Sequence, residues 1–86
     1  MRIETSKGKS YEVNAIAPYA HKNQILIDMN DSRSFSEIAT DFDGVKTITR
    51  KIVDDGSAYE KYEGYTKLFS ITMISNNRVR ITLAKG

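Results

Sequence analysis

Apolar residues in this chain fall at every second position over most of its length, and at helical spacing only once. Alternation of period two places one row of side chains on each face of a strand, so the chain must bury its apolar rows by pairing strands into a sheet. The clearest example is Arg78 to Leu83: Val79, Ile81 and Leu83 point one way and Arg78, Arg80 and Thr82 the other. The preceding Asn76-Asn77 can adopt the left-handed conformation of a two-residue hairpin turn. The pattern therefore predicts a hairpin with a long strand from Tyr65 to Ile74, in which Leu68 and Phe69 mark a change of face.

A first hairpin is predicted upstream. Arg2 to Thr5 and Tyr11 to Ile16 flank Ser6-Lys7-Gly8-Lys9-Ser10, and Gly8 supplies the positive φ of a tight connection. Met1, Ile3 and Thr5 share one side, as do Tyr11, Val13 and Ala15. Pro18 has no N–H for a ladder, so it ends the second strand or leaves it on an edge. Tyr19 to Asn23 reads as a loop, and Gln24 to Met29 as a third strand whose Ile25-Leu26-Ile27 run predicts partial cover on both faces. Val45 to Val53 reads as a strand, Asp54-Asp55-Gly56-Ser57 as a turn, and the residues from there to Gly64 as polar and ambiguous.

The one helical stretch is short. Phe35, Ile38, Ala39 and Phe42 fall at i, i+3, i+4 and i+7 and form one apolar stripe over about 35–42. Ser34 and Glu37 have capping-box spacing, and Gly44 suits a left-handed helix end. Two turns cannot persist alone in water, so this helix must lie on the sheet. The expectation is a mainly β fold, β-rich α+β. About six mostly antiparallel strands form a curled sheet or small, partly open barrel with one helix, in a single domain over residues 1–86. For a chain this long, roughly 14,000 Å² exposed when unfolded falls to about 5,000 Å² when folded. One small core is the result, with free sheet edges that a partner would cover.

Few catalytic kits are available. The 86 residues contain no Cys, so thiolate nucleophiles, disulfides and Cys-ligated metals are excluded. His21 is the only histidine and sits in the polar stretch Ala20-His21-Lys22-Asn23, without the further ligands a metal site needs at local spacing. Asp28, Asn30 and Ser32 imitate the start of a calcium loop, but Arg33 stands where the Gly should be and Ala39 where the Glu should be. Asp41 with Asp43, and Asp54 with Asp55, read as turn formers more readily than as cation ligands. Lys7-Gly8-Lys9-Ser10 precedes no helix and so makes no phosphate loop. The triplet Asn30-Asp31-Ser32 reads as a chance match to a glycosylation site. The expectation is a non-enzyme without cofactor or metal; a hydrolase built on scattered carboxylates would need a cleft that so small a core hardly provides.

Charge points weakly to partners. There are 13 basic and 11 acidic side chains, divided as net −2 over residues 1–43 and net +4 over residues 44–86. Tyr59, Tyr62 and Tyr65 stand near Lys61 and Lys67, and Arg78, Arg80 and Lys85 follow. Tyrosines interleaved with basic residues suit a protein interface, since Tyr is enriched there. They also suit a small oligonucleotide-binding β-domain, by stacking and phosphate contact. Half-buried strand tyrosines beside a solvated basic face explain them as well, and Glu60 and Glu63 would repel phosphate. The candidate surface is therefore Tyr59, Tyr62, Tyr65, Lys67, Arg78 and Arg80, with a protein partner or self-association preferred over nucleic acid. The charged start Met1-Arg2-Ile3-Glu4-Thr5 reads as no signal peptide, and no apolar run is long enough for a membrane span.

Ser36-Glu37-Ile38-Ala39-Thr40-Asp41-Phe42-Asp43-Gly44 and Tyr62-Glu63-Gly64-Tyr65-Thr66-Lys67-Leu68 together resemble short prophage and tailed-phage proteins of gut bacteria. The likeness extends over residues 1–86 in length and pattern. No activity is established for that group, so no site residue carries over. The resemblance implies an accessory role in virion assembly, in the tail or in host interaction, and a location in the bacterial cytoplasm or on the virion.

Overall fold

The computed structural model describes residues 1–31, 33–51 and 59–86. The strands are β1 (Arg2–Thr5), β2 (Ser10–Tyr19), β3 (Gln24–Asn30), β4 (Thr47–Lys51), β5 (Tyr59–Glu63), β6 (Lys67–Ser75) and β7 (Arg78–Ala84), with one helix, α1 (Phe35–Phe42). They form one antiparallel sheet in the order β5-β4-β1-β2-β3-β7-β6. The sheet does not close, so β5 and β6 are its two edges. The β-rich, curled and open architecture is the expected one, with seven strands among the described residues in place of about six.

The additional strand is β5. Its sequence Tyr-Glu-Lys-Tyr-Glu buries no residue fully, and only Tyr62 is half-buried. An edge strand held by its ladder to β4 needs no apolar row, so alternation cannot reveal it. β4 is shorter than the Val45–Val53 expectation, and Val45 is a buried residue of the connection before it. Ile52, Val53 and the predicted Asp54–Ser57 turn lie outside the described residues.

The sheet curls at β2. Ser10, Tyr11 and Glu12 pair with β1, and Val13 onward pairs with β3. A register shift between Val13 and Ala15 makes Asn14 an extra residue. Such a bulge bends the strand and increases its twist. It also inverts the alternation. Tyr11 and Val13 are buried, whereas Ala15 is exposed and Ile16 takes the inward place instead. Pro18 does not end the strand, which continues to Tyr19 against Ile25 and Gln24 of β3. It is tolerated because pairing with β1 has stopped before it, leaving that length of β2 with one neighbour.

The concave face holds the core: Ile3, Tyr11, Val13, Ile25, Ile27, Met29, Ile48, Val79, Ile81 and Leu83 from the sheet, with Ile38 and Phe42 from α1. The Tyr11 and Phe42 rings are 4.9 Å apart and tilted. Phe35 does not join the stripe; it opens the helix and is 53% exposed. Ser34 is the N-cap and accepts the Glu37 N–H at 3.3 Å, as expected. The Glu37 carboxylate receives the Ser34 hydroxyl at 3.3 Å instead of reaching back to a backbone N–H. Gly44 is left-handed at φ 76°, yet its N–H goes to the Thr66 carbonyl at 3.0 Å, so it ties the helix end to the β5–β6 connection. Tyr65 of that connection is 93% buried in the core rather than part of a strand (7% exposed).

A second clasp holds α1. The Tyr11 hydroxyl donates to Asp41, and burial and then that carboxylate push the phenol well above its ordinary pKa. The Arg33 guanidinium lies 4.1 Å from the Tyr11 ring centre, donates to the Ser10 carbonyl at 3.1 Å and faces Asp41 at 3.8 Å. Asp41 is thereby a structural anchor.

The β6–β7 hairpin forms where expected, with different turn chemistry. Asn76 and Asn77 keep negative φ; among the described residues only Asn23 is a left-handed non-glycine. A register shift at Ile74, between Met73 and Ser75, accommodates the turn instead. The predicted face change at Leu68 and Phe69 is a second shift, which leaves Phe69 without a partner on β7. The exposed surface is 5062 Å², close to the expectation from length.

Candidate functional site

The convex face of the β2–β3–β7–β6 half has no helix over it among the described residues. The registers lay its side chains out in rows across the strands, with neighbours in a row about 4.8 Å apart. Tyr19, Gln24, Ala84 and Lys67 make one row. Ala17, Leu26, Thr82 and Ser70 make the next. Ala15, Asp28, Arg80 and Thr72 follow, and then Asn30, Arg78 and Ser75. Ala17, Leu26, Thr82 and Ala84 are small or half-buried and form a low floor, with Tyr19, Lys67, Arg78 and Arg80 standing exposed around it. Leu26 is half-buried here by its neighbours in the sheet, which is the partial cover expected on both faces of this strand.

Asp28 is the centre of this face. It is 5% exposed although it lies on the uncovered side, because its neighbours close over it. Arg78 binds it side-on, Nε to Oδ1 at 3.1 Å and Nη2 to Oδ2 at 2.9 Å. Arg80 Nη2 donates to Oδ2 at 3.3 Å and Asn14 Nδ2 to Oδ1 at 3.3 Å. Asn14 and Asn30 hold each other by reciprocal amide bonds of 2.9 and 2.7 Å. The Arg78 hydrogen bonds, aided by Asn14 and Arg80, hold the Asp28 carboxyl at about 2, against the opposing effect of burial. Asp28 therefore stays charged and saturated, and what it presents outward is arginine. Both its oxygens accept hydrogen bonds, and Asp31 likewise accepts the Arg33 N–H at 2.8 Å. Ser32 lies outside the described residues.

The six predicted surface residues separate. Lys67, Arg78 and Arg80 share the convex face just described. Tyr65 is buried, with Lys85 Nζ 5.3 Å from its ring centre. Tyr59 and Tyr62 lie on β5, at the other end of the strand order. Tyr62 donates to Glu60 at 2.8 Å, and Lys61 Nζ sits 5.6 Å from the Tyr59 ring. Tyrosines three residues apart cannot share one side of a strand, and the chain turns out of β5 before Tyr65. His21 lies in a single 3-10 turn, Ala20–Lys22, where a loop was expected, edge-on to Tyr19 at 6.5 Å. Sequence reasoning weighed Asp28 only as the start of a calcium loop, and missed Asn14 and Tyr19. Only the placing of an Asp among consecutive strand apolars hinted at Asp28; nothing local showed that Asn14 would bulge.

The β6 edge adjoins this face. Its nine residues carry one charge, Lys67, and contain no Pro. Phe69 is 67% exposed, and Met73 and Ile74 are also exposed. Among the described residues no cluster of three His, Asp or Glu is placed to hold a metal ion, and no helix is long and apolar enough to cross a membrane. No family model matches the chain, and neither does any curated protein or solved structure.

Proposed function

We propose that this protein is a non-enzymatic interaction module that associates with a second copy of itself, or with a protein of a larger assembly, through the β6 edge. The observation that supports this reading is a nine-residue edge strand with exposed Phe69, Met73 and Ile74 and a single charge. Such an edge has a row of unpaired N–H and C=O groups, and natural sheets usually blunt it with charge or cover it. Here the blunting is partial. The two register shifts at Phe69 and Ile74 interrupt the strand but leave Ser70 to Met73 regular and uncharged. An antiparallel second copy would set this segment against itself, with each Lys67 toward the uncharged Asn76-Asn77 turn of the other, so no like charges meet. The likeness to prophage and tail proteins supports an assembly role inside the bacterial cell or on the virion.

Light scattering over a range of concentrations tests the proposal. The expected result is reversible association that Phe69→Glu with Ile74→Lys abolishes without lowering the melting temperature. A strict monomer at the highest soluble concentration that also retains no partner in a pull-down would overturn it. The absence of Cys adds a sharper readout, because single Cys variants at residues 70–73 introduce the only thiol. Oxidative cross-linking confined to that segment is expected.

A further inference from the structure

Beyond self-association at the edge, we propose that the uncovered face of β2, β3, β7 and β6 binds a single-stranded nucleic acid, with Arg80, Arg78 and Lys67 as its phosphate donors. Charge complementarity is the first argument. The rows of this face carry three cations and one carboxylate, and that carboxylate is buried and saturated by its neighbours. A partner therefore meets only the cations.

Positioning is the second argument. Asp28 occupies Nε and Nη2 of Arg78 but only Nη2 of Arg80, so Asp28 leaves most of the Arg80 donors untaken on a guanidinium fixed at one corner. A guanidinium already held in place loses less entropy on meeting an oxyanion than a free one. Arg78 and Arg80 are two residues apart on one strand, a step of roughly 6.6 Å, so they can serve two successive positions of an extended backbone.

Shape is the third. The floor of Ala17, Leu26, Thr82 and Ala84 is low and partly apolar, with exposed Tyr19 beside it on β2 and exposed Phe69, unpaired with β7, on the adjoining β6 edge. Flat rings beside a shallow cationic sheet suit unpaired bases, which stack without regard to sequence. An acidic peptide would satisfy the arginines but would leave those rings unexplained. Asp28 acts here as a positioning residue.

The test is fluorescence anisotropy of a labelled oligothymidylate at rising salt, with labelled polyglutamate as a second probe. The expected result is binding at low salt whose slope in log K against log salt becomes shallower by about 0.7 in Arg80→Gln and again in Lys67→Gln, one phosphate contact each. Tyr19→Ala should weaken binding about 5-fold or more with an unchanged slope, since stacking is not electrostatic. Lys9→Gln removes the same charge from another surface and should change nothing. Circular dichroism verifies that each variant is folded. No binding at low salt, equal loss in Lys9→Gln and Arg80→Gln, or binding of polyglutamate without oligothymidylate would each overturn the proposal. Because Lys67, Arg80 and Tyr19 can be altered while Phe69 and Ile74 remain, failure here leaves the edge-association result to be judged separately.

Discussion

The two halves of the sheet, divided at the Asn14 bulge, treat charge in opposite ways. On the β1–β4–β5 half the convex charges pair off in solvent. Lys51 meets Glu4 at 2.6 Å, the amino terminus meets Glu12 at 3.1 Å, and Arg2 Nε meets Ser10 at 3.0 Å. On the β3–β7–β6 half one buried carboxylate collects two arginines and an amide, and the cations outnumber it. The first arrangement makes a self-contained surface. The second leaves unused donors, low side chains and exposed rings, which is why both proposals fall on that half. A salt bridge in solvent is worth little because water already solvates both partners. A carboxylate closed over by its partners depends on them, because without them it would be a charge out of water.

Removing the dividing bulge should have the largest effect. Deletion of Asn14 lets Val13 and Ala15 follow one another directly opposite Met29 and Asp28 with their faces unchanged, but it removes the bend and extra twist that curl the two halves over α1, and with them the Asn14 amide bond to Asp28. The expected loss is on the order of 3 kcal/mol or more, seen as a lower urea midpoint. Next comes the centre of the cationic half. Asp28→Ala strips Arg78 and Arg80 of their shared acceptor and is expected to cost about 1–3 kcal/mol. The matching change across the bulge, Glu4→Ala, removes a shorter contact yet should cost at most about 0.5 kcal/mol. Equal losses from these two changes would erase the contrast between the halves.

The pH dependence sharpens the same contrast. The Asp28 carboxyl titrates lower in the folded protein than in the unfolded chain, so its contribution is complete above the ordinary carboxylate range. That contribution should be lost as pH falls from about 4 toward 2, and Asp28→Asn should lose less stability over that window than the parent does. Thermal melts at pH 5, 4, 3 and 2 measure it directly.

Much of the fold was legible because alternation and helical spacing are local properties. Ile3 and Thr5, and Val79, Ile81 and Leu83, face the core as read, although Met1 of the first row stays exposed, and Gly8 takes its positive φ of 81°. The departures each have a non-local cause. Ala15 faces outward because a bulge precedes it, and Pro18 sits inside a strand because β1 is too short to reach it. Phe35 belongs to the stripe by spacing, yet it is exposed where the helix begins. The candidate surface was less legible still. Tyr65 and Arg80 look alike as surface residues in a list, but one fills the core and the other hangs on Asp28.

By itself the sequence determined a small β-rich chain with one short helix, no thiol chemistry and a basic second half, because side-chain spacing and residue type act over a few neighbouring positions. Only the tertiary structure decided which basic residues share a face, which tyrosines remain at the surface and which strands are left as edges. Those outcomes depend on strand order and register, which bring Asp28 beside residues 50 and 52 positions later in the chain. No local pattern encodes contacts of that span; they arise when the whole sheet finds the one pairing that buries its apolar rows together.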